Sequence, residues 1–256
     1  MLTPVLVLLA GWCAGMAVNY LADTLPVYRR MARPFCRYCQ SPQPVVNYLL
    51  WPHHCQQCDR RRGWRPWIVE AVGAGVAIWL WQRSAEGGEF LSGSILLAYF
   101  GLVLVIDLEH RLILHPVSLA GAMIALGAGL WRHNVFTTIT GGLAGFTIMF
   151  GLYLLGGVFA RLFIKRTLTP FDEVALGFGD VTLAGVLGLV LGWPGIIPGL
   201  VLAILLGGMA SLVYLFGMLI THRYQPFSAI PYGPFLLASA VLLLYFKDPL
   251  VSLFSP

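Results

Sequence analysis

The 256-residue chain is strongly apolar, because 58% of its residues are hydrophobic, only 11% are charged, and its mean hydropathy is +0.79. These values exclude an ordinary water-soluble globular domain, in which about 25% of the residues are charged. The formal net charge of +5 does not by itself indicate nucleic-acid binding, since basic residues in membrane proteins mark orientation and contact lipid headgroups. The composition therefore predicts an integral membrane protein, with lipids as its surroundings and no nucleic-acid partner.

Eight apolar segments follow one another along the chain, and most of them have the length that a helix needs to cross a hydrocarbon core of about 30 Å. The predicted spans are Leu2–Leu21, Trp67–Trp81, Phe90–Ile106, Ile113–Trp131, Phe136–Ile164, Val181–Gly192, Gly195–Ile220 and Ile230–Phe246. The predicted fold is an all-α polytopic membrane protein with about eight transmembrane helices. Three parts are predicted: a first helix at 1–25, a polar connector at 26–66 and a seven-helix membrane domain at 67–256.

The distribution of basic residues predicts the orientation of the chain. If the connector is cytoplasmic, the cytoplasmic side collects 13 of the 16 lysines and arginines, and only Arg83, Arg132 and Lys247 fall on the other side. Such an imbalance is typical of the positive-inside rule, and it predicts that both termini lie outside the cytoplasm. The first segment lacks the basic start of a secretion signal, so we predict that it is retained as a helix.

The connector contains two Cys-x-x-Cys pairs, Cys36/Cys39 and Cys55/Cys58, separated by fifteen residues. Two such pairs can supply four thiolates at tetrahedral angles, and so short a segment needs a staple because it cannot bury enough apolar surface. Two disulfides are the alternative, although a reducing cytoplasm disfavours them. The spacing therefore predicts a structural zinc site.

Two aspartates are predicted at the same end of the membrane region. The stretch GFGD places Asp180 at the start of the sixth span, and VIDLEH places Asp107 at the end of the third. A charged group in or beside a membrane helix is costly and is a functional candidate, although Asp180 could simply cap its helix. If the two carboxyl groups meet, they would share one proton near neutral pH and could act together as base and acid in peptide hydrolysis.

Glycines and prolines near these aspartates predict a place for an extended substrate. Gly177 and Gly179 lack a Cβ and would allow a peptide backbone to approach Asp180, although small residues also serve helix packing. The stretch IPYGPF predicts an irregular start of the last helix, because Pro231 and Pro234 remove backbone donors and Gly233 relaxes the chain. We therefore predict that the segment from Pro231 through Tyr232 to Pro234 lines a substrate cleft, with a simple connecting loop as the alternative.

Several of these motifs, in this order, resemble the type IV prepilin leader peptidases, which are membrane aspartic proteases with a Gly-x-Gly-Asp motif. The matching features are NYLADTLP from Asn19, the four-cysteine connector, WIVE ending at Glu70, Asp107 with Pro116 nine residues later, GFGD and IPYGPF. Leu25 and Thr182 depart from this pattern, since the family usually has an arginine and a lysine there, and Tyr232 replaces a common phenylalanine.

The resemblance implies a function and a site. It implies Asp107 and Asp180 as the catalytic aspartates and Cys36, Cys39, Cys55 and Cys58 as the zinc ligands. It also implies cleavage of prepilins or pseudopilins after the glycine that ends a short basic leader, at the bacterial inner membrane. Many members also methylate the new amino terminus with S-adenosylmethionine. Asn19 and Glu70 are retained as supporting residues, although an interhelical hydrogen bond and a headgroup-level charge would also explain them.

Two functions of other classes compete with this interpretation. Paired aspartates could relay protons in a transporter, but both are predicted at one face and the sequence has no clear inverted repeat of broken helices. A non-catalytic secretion scaffold that uses the cysteine module for docking is the second alternative, which the retention of Asp107 and Asp180 disfavours.

Overall fold

The computed structural model of the protein describes residues 2–36, 38–49, 54–84, 87–164, 177–220 and 231–246. Within these ranges the secondary structure consists of helices and two isolated β-bridges. The nine helices of the described ranges are α1 Leu2–Tyr28, α2 Val45–Leu49, α3 Arg65–Arg83, α4 Gly87–His110, α5 His115–Arg132, α6 Val135–Ile164, α7 Phe178–Leu191, α8 Ile196–Ile220 and α9 Gly233–Tyr245.

The helices confirm the predicted all-α polytopic fold. Every predicted span corresponds to one helix of 13 or more residues, and only the five-residue helix α2 in the connector was not predicted. Four helices contain stretches that are long and apolar enough to cross a membrane: Thr3–Tyr28, Gly87–His110, Val135–Val158 and Ile196–Ile220. Helices α7 and α9 are apolar but shorter. The first residue of the last predicted span, Ile230, lies outside the described residues.

The chain forms two compact units, residues 1–116 and residues 117–256. In the first unit, α1 packs against α3 and α4, and α3 also contacts α4. In the second unit, α7 contacts α6, α8 and α9. The first unit contains the cysteine connector and Asp107, and the second contains Asp180. The unit boundary thus falls within the region predicted as one seven-helix domain.

Glycines allow α1 and α3 to approach to backbone contact. A methyl group built on Gly11 would lie 2.5 Å from the carbonyl oxygen of Gly73, and one built on Gly15 would lie 2.7 Å from the Cα of Glu70. Any side chain at these positions would separate the helices, because these distances are far below van der Waals contact. The small residues therefore hold Glu70 of α3 against α1, as is typical of membrane helix pairs.

A second glycine seam joins α6 to α7. A methyl group on Gly188 would lie 2.2 Å from the carbonyl oxygen of Gly141, and one on Gly145 would lie 2.4 Å from that of Ala184. At the beginning of α7, the ring of Phe178 packs edge-on against two aromatic rings of α6, those of Phe146 and Tyr153. The seam therefore fixes α7 along its whole length, including the turn that carries Asp180.

Candidate functional site

The cysteine connector folds as two similar knuckles. In the first, the amide of Cys36 donates to the carbonyl of Ser41 (3.0 Å), and the amide of Gln40 donates to the carbonyl of Cys36 (2.9 Å). In the second, the amide of Cys55 donates to Arg60 (3.1 Å), and the amide of Asp59 donates to Cys55 (2.8 Å). Gln40 and Asp59, each four residues after the first cysteine of its pair, both have positive φ values of 56° and 49°. The two pairs thus use the same turn.

The knuckles bring the four cysteine sulfurs into one cluster. All four Sγ atoms lie within 4.8 Å of one another, with 3.7 Å between Cys36 and Cys58 and 3.6 Å between Cys39 and Cys55. Four thiolates around zinc, each at about 2.3 Å, would lie about 3.8 Å apart. All four cysteines are free of disulfides. The cluster therefore fits a tetrahedral zinc ion, and the two-disulfide alternative is not what the structure has.

The hydrogen bonds around the cluster favour a bound cation. Backbone amides of Cys58 and Gln57 donate to the Cys55 sulfur and lower its pKa to about 5. The pKa of Cys58 is raised to about 12: a backbone hydrogen bond from Arg60 lowers it, but burial and the neighbouring sulfurs of Cys39 and Cys55 outweigh that bond. One sulfur is thus readily ionised while its neighbours oppose further ionisation, and a divalent cation removes that opposition.

An ion-pair cluster connects the connector to the membrane helices of the first unit. The carboxylate of Asp23 in α1 accepts hydrogen bonds from Arg62 (2.8 Å), from Arg65 (2.7 Å) and from the hydroxyl of Tyr48. The guanidinium of Arg62 lies 3.5 Å from the centre of the Tyr48 ring and donates to the Tyr48 carbonyl (3.0 Å). Burial is the largest influence on the pKa of Tyr48 and raises it well above its usual value, so its hydroxyl stays a donor.

Asn19 and Glu70 form one buried group between α1 and α3. The side-chain amide of Asn19 donates to the Pro66 carbonyl (3.1 Å) and to Glu70 (3.4 Å), and the indole of Trp12 also donates to Glu70 (2.9 Å). Asn19 and Glu70 are 2% and 4% exposed. The interhelical hydrogen bond that was one interpretation of Asn19 is therefore present, and Glu70 is buried between helices.

Asp107 lies in the last turn of α4. The helix ends at His110, three residues after Asp107, and the chain leaves the helical direction at Arg111, which has a positive φ of 51°. Asp107 is 5% exposed, and Ile106 beside it is also buried. A buried carboxyl group thus lies at the end of a membrane helix, where the sequence predicted it.

Asp180 lies in the first turn of α7. The extended residue Gly177 precedes the helix, and its amide donates to the Asp180 carboxylate (3.3 Å). Asp180 therefore helps to cap the start of α7, which was the alternative interpretation of this residue. Asp180 is 9% exposed. Two residues later, the Thr182 hydroxyl donates to the Gly179 carbonyl (2.8 Å) and lies 3.2 Å from the hydroxyl of Ser118 in α5. The hydroxyl groups of Thr182 and Ser118 therefore lie near Gly179, the residue before Asp180.

The segment from Pro231 to Pro234 belongs to the same unit as Asp180. Pro231 and Tyr232 precede α9, which begins at Gly233 with Pro234 in its first turn, where a missing amide hydrogen is tolerated. The irregular stretch is therefore shorter than predicted and ends at Tyr232. Helix α9 contacts α7, the helix that carries Asp180.

The structure brings together three of the predicted groups. It assembles the four cysteines, it joins Asn19 to Glu70, and it places Asp180, Gly177 and Gly179 in the same unit as Tyr232. Asp107 and Asp180 lie in different compact units, and their pairing stays a prediction.

Sequence reasoning missed the ion-pair cluster. Its members are Asp23, Tyr48, Arg62, Arg65 and Glu109, whose carboxylate accepts from Arg65 (2.8 Å). The sequence did contain one signal for it, which is the presence of opposite charges near the same membrane end. Asp23 follows the first span, and Arg62 and Arg65 lie shortly after the second cysteine pair. Nothing in the spacing indicated which residues would pair.

These features define a class: a polytopic α-helical membrane protein with a cluster of four cysteines that could hold a metal ion and with buried aspartates at helix ends. Residues 94–212, which include Asp107 and Asp180, match the profile of the type IV leader peptidase family. This part of the chain is therefore similar to that family, which its motifs also resemble.

Three similar proteins carry the name prepilin leader peptidase/N-methyltransferase. The chain is 25% identical to that of Legionella pneumophila over 228 residues, covering 87% of this chain and 75% of the relative. It is 23% identical to that of Aeromonas hydrophila over 236 residues, covering 88% and 76%. It is 28% identical to that of Pseudomonas aeruginosa over 210 residues, covering 80% and 66%. No solved structure matches the chain.

Proposed function

We propose that the protein is an aspartic endopeptidase of the bacterial inner membrane that cleaves the leader of type IV prepilins or pseudopilins. The observation that carries the proposal is the burial of Asp107 and Asp180 at helix ends within the 119 residues (94–212) that match the leader peptidase family. The names of the relatives support prepilins as the substrate class.

In this proposal Asp107 and Asp180 act as a pair. The ionised member takes a proton from water, which attacks the peptide carbonyl after the leader's final glycine. The protonated member donates to the carbonyl oxygen and later to the leaving amine. Such positioned proton transfer typically contributes about 10²- to 10⁴-fold to a rate. The hydrogen bond from the Gly177 amide orients the Asp180 carboxylate for either role.

The cleavage belongs at the cytoplasmic face, together with the zinc module, and both chain termini lie outside the cytoplasm. The excess of arginine and lysine on the connector side supports this topology. The four cysteines would hold a structural zinc ion, because all four positions around a tetrahedral metal are taken by sulfur and no open position is left for substrate.

Methylation of the new amino terminus by S-adenosylmethionine is a second proposed activity, supported by the names of the relatives. A pocket beside the module, lined by residues that include Asp23, Phe35, Tyr38 and Arg62, has a volume of about 110 Å³. Sites for drug-sized molecules usually measure about 300 Å³ or more. This pocket is smaller than that range, so the proposal of methyl transfer rests on the names of the relatives.

The test is direct incubation of the purified full-length protein with a prepilin that has a basic leader, a glycine and an apolar helix. We expect a shorter product on a gel, whose mass corresponds to cleavage directly after the glycine. A transporter or a scaffold would leave the prepilin intact. Mass spectrometry with added S-adenosylmethionine would show a gain of one methyl group in the product if the second activity is present.

We further propose that the Pro231–Pro234 segment forms one wall of the substrate cleft, since α9 contacts α7, the helix that carries Asp180. A cysteine at Tyr232 should crosslink to a prepilin with a cysteine near its cleavage site, in an Asp180→Asn background that retains substrate. A cysteine at Trp131, which is exposed in the last turn of α5, is the matched control. Crosslinking beside Asp107 but never at Tyr232 would show that the segment is only a connection.

A further inference from the structure

Arg65 bridges two carboxylates that belong to different helices of the first unit. Its Nη1 atom lies 2.7 Å from Asp23 of α1 and 2.8 Å from Glu109 of α4. Its Nη2 atom donates to the carbonyl of Asn19 (3.4 Å). The side chains of Arg65, Asp23 and Glu109 are 22%, 14% and 25% exposed, so water screens these contacts far less than it would at an open surface.

The connector holds the other side of this bridge. Arg62, four residues after Cys58, shares the Asp23 carboxylate with Arg65. The hydroxyl of Tyr48, which is 2% exposed, also donates to Asp23. Asp23 is thus fixed from the connector by two groups, and this makes it a rigid partner for the guanidinium of Arg65. A planar guanidinium held by carboxylates on both sides has little freedom to move.

Glu109 lies two residues after Asp107 in the same last turn of α4. The helix has no continuation beyond His110, so its final carbonyl groups have few partners within the helix, and such turns fray readily. The ion pair between Arg65 and Glu109 tethers this turn, which means that it restrains the turn from outside the helix. The position of Asp107 therefore depends on the same turn that Arg65 holds.

We infer that Arg65 is a positioning residue: it fixes the last turn of α4, and with it Asp107, to the connector and to α1. This inference rests on the proposed peptidase function only where it concerns cleavage. Its structural half, the tethering of the turn, stands independently of what the protein cleaves. A displacement of about 1 Å at a reacting group can lower a rate by about 100-fold, so loosening this turn should slow cleavage even when substrate still binds.

The experiment compares the full-length variants Arg65→Gln, Arg65→Lys and Glu109→Gln with the control Arg61→Gln, which changes an exposed arginine of the same connector. Hydrogen exchange followed by mass spectrometry reports on the last turn of α4 without reference to activity. We expect Arg65→Gln and Glu109→Gln each to raise exchange in this turn about tenfold, while the first turns of α4 stay unchanged. Arg65→Lys should fall between these variants and the wild type.

Cleavage kinetics provide the second measurement. We expect Arg65→Gln to lower kcat about tenfold with KM within about twofold. The double variant with Glu109→Gln should be no worse than Arg65→Gln alone, because Arg65→Gln already removes the contact that Glu109 makes with Arg65. Unchanged exchange in both single variants would overturn the tether. Raised exchange with unchanged kcat would overturn the link to Asp107. A wild-type protein that does not cleave prepilin would instead refute the proposed function, and the exchange result would still decide the tether.

Discussion

Replacing either Asp107 or Asp180 with asparagine should abolish prepilin cleavage while the protein remains folded and inserted. The amide retains the shape of the carboxyl group but cannot take or give the proton that hydrolysis requires. In the proposed mechanism the two groups act as a unit, so each single replacement should lower kcat by at least about 10³-fold, and the double replacement should be little worse. A gel assay with excess prepilin and long incubation measures the residual activity.

Asp59→Asn is a suitable control for this experiment. Its side chain is 93% exposed, and its positive φ of 49° is one that asparagine also accepts, so the replacement removes a carboxylate and loses only an exposed contact with His54 (3.7 Å). This variant should cleave at the wild-type rate. Near-normal processing by Asp107→Asn or Asp180→Asn would refute the proposal that these two aspartates act as the base and the acid in cleavage.

The second large effect should come from the cysteine cluster. The purified protein should contain about one zinc ion per chain, and Cys36→Ser or Cys55→Ser should remove it, because the remaining three thiolates cannot complete the tetrahedral shell. The melting temperature should fall by roughly 10 °C, since a loss of several kcal/mol corresponds to about 2–4 °C per kcal/mol in a chain of this size. Elemental analysis and thermal melting in detergent measure the two quantities.

Cys13→Ser provides the matched control, since Cys13 is a single exposed cysteine within α1, away from the cluster. It should change neither the zinc content nor the melting temperature. Finding no zinc in freshly reduced, folded wild-type protein would refute the metal site. The connector would then have to be held together by Asp23, Tyr48 and Arg62 without a metal.

The parts of this structure that follow from local chemistry could be predicted from the sequence. The spacing within Cys36/Cys39 and Cys55/Cys58 predicts a sulfur cluster because two identical turns need only a few residues each to aim their sulfurs. The helices followed from apolar length, and most of their observed ends lie within four residues of the prediction. Helix α1 is the exception, because it continues seven residues past the predicted Leu21, to Tyr28, and so enters the predicted connector. Helix α7, for example, begins at Phe178 instead of Val181, because Gly177 supplies the extended residue before it and Asp180 can then bond the amide of Gly177.

The contacts that depend on side chains meeting across the fold could not be predicted. Arg65 and Glu109 are 44 residues apart in sequence, and no periodic pattern connects them. The close approach of α1 and α3 at Gly11 and Gly15 brings the start of α3 to Asp23, and the packing of α4 against both helices brings Glu109 to Arg65. Composition marks each of these residues as small or charged but does not indicate its neighbour.

The backbone contact between α6 and α7 limits how a substrate could reach Asp180. Because even a methyl group built on Gly188 would lie 2.2 Å from the carbonyl oxygen of Gly141, the two helices leave no gap there for a lipid chain or for the apolar helix of another protein. Lateral entry from the bilayer by parting this seam would also break the ring contacts of Phe178 with Phe146 and Tyr153. A membrane-embedded substrate would therefore have to approach Asp180 along a side of α7 that does not face α6.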